Sequence, residues 1–146
     1  KKDHNGSPIS QENLINPLNV LKNLCQFSFK DKKIIHMLIE NYQIDGKDYS
    51  FLPENLKCNS FSLDIKFICL SKNLIEHYGS ILKRYHVLVN QILNAEYIKQ
   101  FQDQQNPNIY TTASRIISGH NNNEIFLVNK TQKNKGFFEK FFDLFS

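Results

Sequence analysis

Cysteine is scarce in this 146-residue chain, and the spacing of its cysteines does not fit proteins that are held together by disulfide bonds or by cysteine-bound zinc. The three cysteines are Cys25, Cys58 and Cys69, and no Cys-x-x-Cys pair occurs. An odd number at wide spacing argues against a disulfide framework or a structural zinc site, and it is typical of a reducing compartment. The sequence also shows no secretion signal and no apolar run long enough to span a membrane, so we expect neither usual secretion nor a transmembrane helix.

Enzymatic motifs are missing as well. No Gly-x-Ser-x-Gly, His-Glu-x-x-His or Walker loop occurs, and the five histidines have no metal-ligand spacing. His36 lies in an apolar segment, where a histidine satisfied within a sheet is far commoner than a ligand. The sequence therefore predicts a protein that is not an enzyme and needs no cofactor, metal ion or catalytic residue.

Acidic residues near position 45 resemble a functional site only superficially. The stretch "IDGKD" at 44–48 has the look of an acidic glycine loop for phosphate, but it lacks the further glycines and hydroxyls of such a loop. Glu40, Asp45 and Asp48 resemble paired carboxylates in the same way. A plain turn with solvated acids is the better interpretation of both patterns.

Charge is balanced, with a small basic excess. The net charge is +4, charged residues make up 22% of the chain and hydrophobic residues 40%, which is enough for an ordinary core. A mild excess of this kind suits anionic lipid or nucleic acid without requiring either.

The first half of the chain predicts a small α+β unit. Residues 1–8 are polar and read as a lead-in. Ser10 then caps a helix whose apolar residues recur at helical spacing, and Pro17 either kinks this helix or begins it behind Asn16. Its apolar residues are Leu14, Leu18, Leu21 and Cys25. A β-branched strand at 33–44 and a turn follow.

The second half of this unit continues with a strand, a helix and a strand. Residues 62–70 alternate, which places Leu63, Ile65, Phe67 and Cys69 on one face. Ser71 caps a helix to residue 85, and residues 86–93 read as another strand. We expect two helices packed on one face of a short sheet. The core candidates are Leu63, Ile65, Phe67, Ile75, Tyr78 and Leu82.

Beyond residue 98 the composition changes. Residues 99–135 read as a polar linker that contains one short helix at 109–119, closed by Gly119, and a brief strand near "EIFLVNK". Residues 136–146, "GFFEKFFDLFS", contain five phenylalanines and form an amphipathic tail.

The tail predicts a helix that binds a membrane surface. At roughly 100° per residue its apolar side chains fall within an arc of about 160°, with Glu139, Lys140 and Asp143 opposite. Lys133 and Lys135 lie just upstream and suit an anionic leaflet. The alternative is that this helix docks on the chain's own domain or on a partner. The predicted membrane-binding residues are Phe137, Phe138, Phe141, Phe142, Leu144, Phe145, Lys133 and Lys135.

Taken in order, these segments resemble the 1C subdomain of FtsA, the actin-like protein of bacterial cell division. The match covers residues 9–98. It consists of an "ISQEN" helix start at 9–13, a strand with the His, Tyr and Asp-Gly pattern at 34–46, a Pro-led segment at 53–68 and a helix-to-strand passage at 84–95. The end of the chain is similar too, with a Thr-Ala helix, a linker and a short amphipathic helix.

The resemblance implies an SHS2-like fold at 9–98 and a role in recruiting division proteins or in self-association. It also implies tethering by the tail to the cytoplasmic face of the inner membrane. The phosphate loops and the adenosine motif of the family are not in this sequence, so the expectation is a scaffold without ATP, either a reduced FtsA or a piece of a longer protein.

Two other interpretations remain open. One is a different actin-like assembly protein similar to PilM. The other is a small nucleic-acid-binding protein that uses Lys130, Lys133 and Lys135. Because phosphate binding needs several well-placed cations, we favour the interpretation without nucleic acid.

Overall fold

The computed structural model describes residues 2–10, 12–53, 55–105 and 107–126. The predicted membrane-binding residues of the tail, and Lys130, lie outside these ranges. The elements are β1 (Lys2–Pro8), α1 (Glu12–Ser28), β2 (Lys32–Ile44), β3 (Lys47–Tyr49), β4 (Lys57–Ser71), α2 (Lys72–Arg84), α3 (Ala95–Lys99), α4 (Ile109–Ile117) and β5 (Glu124–Phe126). The fold is α+β, as the sequence predicts.

All five strands of the described ranges belong to one antiparallel sheet. The strand order is β1-β4-β2-β3, and β5 also pairs with β2. The predicted strands at 33–44 and 62–70 are confirmed, although β4 begins earlier than expected. The prediction of a lead-in at 1–8 is wrong, because residues 2–8 pair with the first half of β4. The polar sequence of β1 hid this strand, since it carries no alternation of apolar residues.

A two-residue turn joins β2 to β3. Asp45 and Gly46 both have positive φ, at 47° and 79°, as a type I′ hairpin requires, and Asp-Gly is a preferred sequence for it. The Asp45 carboxylate also accepts hydrogen bonds from the backbone N–H groups of Asn59 and Ser60, at 2.8–3.1 Å. The predicted turn is confirmed, and its acid fixes the hairpin to β4.

Two irregularities in β2 decide which side chains share a face. Opposite β4, the pairing shifts by one residue between Ile34 and His36, and again between Ile39 and Asn41. Each shift inserts one extra residue, as a β-bulge does. As a result His36 and Leu38 lie on one face of the sheet, called here the second face. The first face carries the β2 side chains that belong to the larger core cluster, namely Ile34, Met37, Ile39, Tyr42 and Ile44.

The first face holds the larger core, and α1 covers it. Leu14 and Leu18 of α1 are fully buried against this face. Pro17 lies inside α1, which begins before it, so the alternative in which the helix starts at Pro17 is wrong. In the first turn the backbone N–H and the hydroxyl of Ser10 both donate to the Asn13 side chain. The predicted helix is therefore confirmed.

The second helix does not pack its side chains into the core on this face, contrary to the prediction. The helix itself is confirmed as α2, and Ser71 occupies its N-cap position without a side-chain hydrogen bond. No side chain of α2 is buried by the described part of the chain. Tyr78 is 58% exposed and Leu82 36%, so neither is a core residue, while Leu63, Ile65 and Phe67 are half-buried against the first-face core. An apolar helical stripe predicts burial, but it does not say what buries it.

Residues 86–93 form no strand, and the end of α2 gives the reason. His86 has a φ of +59°, and the N–H groups of His86 and Val87 donate to the carbonyls of Lys83 and Leu82. This is a Schellman ending, in which the left-handed residue turns the chain away from the helix axis. Val87 and Leu88 then lie exposed and pair with no strand among the described residues.

Two short helices cover the second face. Leu38, Tyr97 of α3 and Ile116 of α4 form a separate buried cluster there. The predicted helix at 109–119 is confirmed as α4, with Gly119 at φ +86° after it, and the brief strand is confirmed as β5. Residues of the predicted linker therefore complete the second layer and add a strand to the sheet. None of the helices in the described ranges is both long enough and apolar enough to cross a bilayer.

Candidate functional site

A buried network of polar side chains, called here the His36 network, joins β2, α3 and β5. His36 Nδ1 lies 2.6 Å from Glu124 Oε1, and both side chains are almost completely buried. The Tyr97 hydroxyl donates to Glu124 Oε2 at 2.6 Å and accepts from the Asn121 amide at 2.9 Å. The backbone N–H of Asn94 donates to His36 Nε2 at 3.0 Å.

The Asn94 contact shows which ring nitrogen of His36 carries the proton. A backbone N–H can only donate, so His36 Nε2 must be unprotonated and the ring proton must lie on Nδ1. Nδ1–H then donates to Glu124, whose two carboxylate oxygens both act as acceptors. Every polar atom of the histidine ring is therefore paired, which confirms the prediction that His36 is a satisfied sheet histidine.

Local turns place the partners of His36. The Asn94 side chain caps α3 by accepting from the Tyr97 N–H at 2.8 Å, which places the tyrosine one helical turn after the residue whose N–H contacts His36. The rings of His36 and Tyr97 are 4.5 Å apart. On the other side, Asn121 forms a turn in which its carbonyl accepts from the Glu124 N–H at 3.2 Å. Both turns rely on asparagine, which favours such local hydrogen bonds.

The hydrogen bonds of the His36 network stabilise the fold. Burial, followed by the hydrogen bond to Glu124, raises the pKa of Tyr97 well above its usual range, so this hydroxyl stays neutral. Both ring nitrogens of His36 are engaged, Nδ1 with Glu124 and Nε2 with the Asn94 N–H. The network therefore holds the sheet and its second layer together through buried hydrogen bonds.

A cleft of about 460 Å³ opens beside the network. Asn94, Tyr97 and Asn121 contribute to its wall, together with Phe101 and the strand residues around Leu38. The ammonium of Lys66 and the carboxylate of Glu40, which also line it, are 2.9 Å apart and about half exposed. The charged groups of the wall that come from the sheet are thus paired with each other.

The acids singled out in the sequence do not converge. Glu40 pairs with Lys66, Asp45 accepts from the β4 backbone, and Asp48 accepts from the side-chain amides of Asn41 and Gln43. This confirms the interpretation of a turn with solvated acids. Within the described ranges no three His, Cys, Asp or Glu side chains are grouped as metal ligands would be.

Exposed apolar side chains on α1 and α2 form the second candidate site. The α1 stripe consists of Val20, Leu24 and Phe27, which follow one another at helical spacing and are each more than half exposed. The α2 stripe consists of exposed and half-buried residues on one side of α2, namely Leu74, Ile75, Tyr78, Ile81, Leu82 and Tyr85. The end of α1 and the start of α2 lie at the same end of the sheet, where the Lys72 N–H donates to the carbonyl of Asp31, three residues after α1. Several exposed apolar side chains on one side of a helix are typical of an interaction site.

Sequence reasoning found the α2 stripe but assigned it to the core. It missed Tyr97 and Glu124 as partners of His36, because nothing in their local sequence distinguishes them from other polar residues. The available signal was the histidine itself, since a buried imidazole needs partners at both nitrogens.

Alkaline pH is expected to destabilise the fold through its buried hydroxyls and thiols. Burial raises the pKa of Tyr42 to about 12 and that of Tyr97 further, and it also raises the pKa of Cys58. Above the unfolded-state values, about 9 for cysteine and 10 for tyrosine, the unfolded chain loses these protons first. The native state then binds more protons than the unfolded state, so the free energy of unfolding falls as pH rises.

Urea unfolding between about pH 8 and 12 measures this slope. Tyr97→Phe should make the decline above pH 10 shallower, because it removes one of the linked groups. Tyr110→Phe, at a residue 83% exposed on α4, should leave the slope unchanged. Equal slopes for wild type and Tyr97→Phe would contradict the linkage.

Comparison with known proteins gives no relative: no family model matches the chain, and neither a curated protein nor a solved structure matches it.

Proposed function

We propose that this chain is a non-enzymatic scaffold of the bacterial division machinery. Its α+β domain associates with other division proteins or with itself, and its phenylalanine-rich tail tethers the assembly to the cytoplasmic face of the inner membrane. The observation that carries the proposal is the pair of exposed apolar stripes on α1 and α2.

These stripes are costly unless something covers them. Phe27 is 70% exposed, and Tyr78 and Tyr85 of the α2 stripe are 58% and 75% exposed. Aromatic residues dominate interface energetics because each buries a large apolar area, and tyrosine is enriched at the centres of interfaces. A protein whose helices present such side chains is suited to bind other proteins.

The FtsA resemblance supports the division role. A five-stranded antiparallel sheet with helices is compatible with a small α+β domain of the 1C type. The order and spacing of the motifs at 9–13, 34–46 and 53–68 add to this, whereas the expected strand at 86–93 is not formed. These three motifs are the reason for choosing a division scaffold over a PilM-like assembly protein.

The tail supports the tether. Ten residues form a helix of about 15 Å, whereas the hydrocarbon core of a bilayer is about 30 Å thick. Such a helix is too short to cross the bilayer, so the tail would lie in the interface. A helix this short is marginal in water and forms mainly on contact with lipid. Each fully inserted Phe contributes on the order of 1.5–3 kcal/mol, and Lys133 and Lys135 add roughly 1 kcal/mol each on an anionic leaflet.

Fluorescent fusions in dividing bacteria test the two parts separately. The wild-type chain should form a band at midcell. Phe141→Asp, at the centre of the tail's apolar arc, should become diffuse, because a charge there opposes insertion. Phe27→Asp in the α1 stripe should stay on the membrane but spread evenly around the cell.

Phe51→Asp is the matched control, since Phe51 is exposed to 69% outside both stripes, and it should still reach midcell. Flotation with anionic liposomes checks the tether directly: wild type and Phe27→Asp should float, whereas Phe141→Asp and a chain ending at Lys135 should not. Equal flotation of all four would refute the tether, and an even distribution of the wild type would refute the division role.

A further inference from the structure

We propose that two copies of this chain associate through α2, with the two helices antiparallel and Tyr78 at the twofold axis. The inference rests on the proposed function and deepens it, since it names a second copy as the partner of the α2 stripe. Three properties of α2 support it: the symmetry of its apolar residues, the placement of its charges and the area that it exposes.

The apolar residues of α2 are arranged symmetrically about Tyr78. In an antiparallel pair related by a twofold axis, residues equally far from the axis lie at the same level. Leu74 then lies level with Leu82 of the second copy, and Ile75 level with Ile81. A twofold interface must be self-complementary in this way, because the same patch serves both partners.

The helix geometry lets these side chains interdigitate. Relative to Tyr78, at roughly 100° per residue, Leu74 and Leu82 lie about 40° to opposite sides, and Ile75 and Ile81 about 60°. Side chains at one level therefore lie side by side across the interface and do not meet end to end. Gly79 lies about 100° around the helix from Tyr78, at the edge of this face, and it has no atom within 4 Å of the position that a Cβ would occupy, so it adds no bulk at that edge.

The charges of α2 stay out of such an interface. Lys72, Glu76 and Arg84 are exposed, and each lies roughly 120° or more around the helix from Tyr78. No charge is buried and no like charges meet at the centre, although Lys72 and Arg84 of the two copies lie at one level. The interface has the apolar centre and charged rim of a natural one.

The exposed area suits a weak dimer. Leu74, Tyr78, Leu82 and Tyr85 are between 36% and 75% exposed. With large apolar side chains of this type, two copies would bury on the order of 1,000 Å² in total, at the lower limit for a specific interface. We therefore expect dissociation at micromolar concentrations, which a membrane-bound chain would counter by its high local concentration.

Analytical ultracentrifugation of the full chain from about 1 to 500 μM tests the proposal. Wild type should shift from monomer to dimer over this range. Tyr78→Asp should raise the dissociation constant at least about 30-fold, as expected for the loss of a central aromatic residue. Tyr110→Asp on α4 is the matched control and should dimerise like wild type. A mixture of Tyr78→Asp and Tyr78→Lys should recover dimers that neither variant forms alone, because residue 78 faces itself.

Three results would overturn the inference. A wild-type chain that stays monomeric, or a Tyr78→Asp chain that still dimerises, excludes this interface. If a chain ending at Lys135 no longer dimerises, the contact between the copies is made by the tail of one copy on the α2 stripe of the other, and not by two α2 helices. Thermal melting of Tyr78→Asp checks that the variant is folded. Because Tyr78 is exposed in the single chain, its melting temperature should match that of wild type at concentrations where wild type is monomeric. Flotation and midcell localisation do not depend on this contact, so their failure would concern the proposed function alone.

Discussion

Glu124→Ala should lower the free energy of unfolding by roughly 2–5 kcal/mol, because it leaves two buried donors without acceptors. Those donors are His36 Nδ1–H and the Tyr97 hydroxyl, both of which bond to the carboxylate at 2.6 Å. With a total stability of about 5–15 kcal/mol for a typical domain, such a loss is large. Urea unfolding measures it. The Ile39 amide, which donates to the Asn123 carbonyl at 2.9 Å, should also lose protection from hydrogen exchange.

Two variants bracket this result. Glu124→Gln keeps an oxygen for His36 but turns an amide N–H₂ toward Tyr97, so only one donor is left unpaired and the loss should be about half as large. Glu96→Ala removes a carboxylate that pairs with Lys99 on the surface, and it should change stability by less than about 0.5 kcal/mol. A loss for Glu124→Ala no greater than that for Glu96→Ala would show that the network does not hold β5 to the sheet.

Leu18→Ala should cost about 2–5 kcal/mol, and Leu24→Ala on the same helix almost nothing. Leu18 is fully buried against the first face of the sheet, and its removal leaves a cavity as well as losing transfer free energy. Leu24 is 55% exposed in the α1 stripe, so its truncation uncovers little. The same substitution in one helix thus separates burial from helix propensity, which changes equally at both positions.

Chemical denaturation of both variants gives the comparison. Similar losses at both positions would mean that the α1 stripe is itself covered, either by the part of the chain outside the described ranges or by a second copy. Dilution distinguishes these two cases, because only a contact between copies weakens with concentration.

The sequence was most informative where the pattern is local. The β2 strand, the alternation in β4 and the Asp45–Gly46 turn all follow from residue types within a few positions of one another. Both long helices follow from their periodicity. Each of these elements was predicted because residue propensity and hydrophobic periodicity agree within it.

The elements that failed depend on partners elsewhere in the chain. β1 has no apolar alternation and becomes a strand only because β4 offers an edge to pair with. Residues 86–93 have the β-branched residues of a strand, but His86 takes the left-handed position that glycine usually occupies, and the chain turns away. No local pattern could reveal either outcome.

The candidate site divides in the same way. That His36 is satisfied was predictable, because an imidazole in an apolar strand must be paired. Its partner could not be predicted, since Glu124 is 88 residues away in the sequence. The stripes were visible as apolar periodicity, but the distinction between a core face and an interaction face exists only in three dimensions.

The two bulges of β2 also determine where this chain tolerates a change in length. Losing one residue from a strand normally sends every later side chain to the opposite face. Loss of Ile35 or of Glu40 would instead close a bulge and leave the later residues opposite their present partners on β4. At position 40 the cost is an exposed ion pair, whereas at position 35 it is a buried side chain. Single-codon deletions should therefore be accepted most easily at position 40, while between the bulges, at positions 36–39, they would turn the imidazole or the core residues to the wrong side.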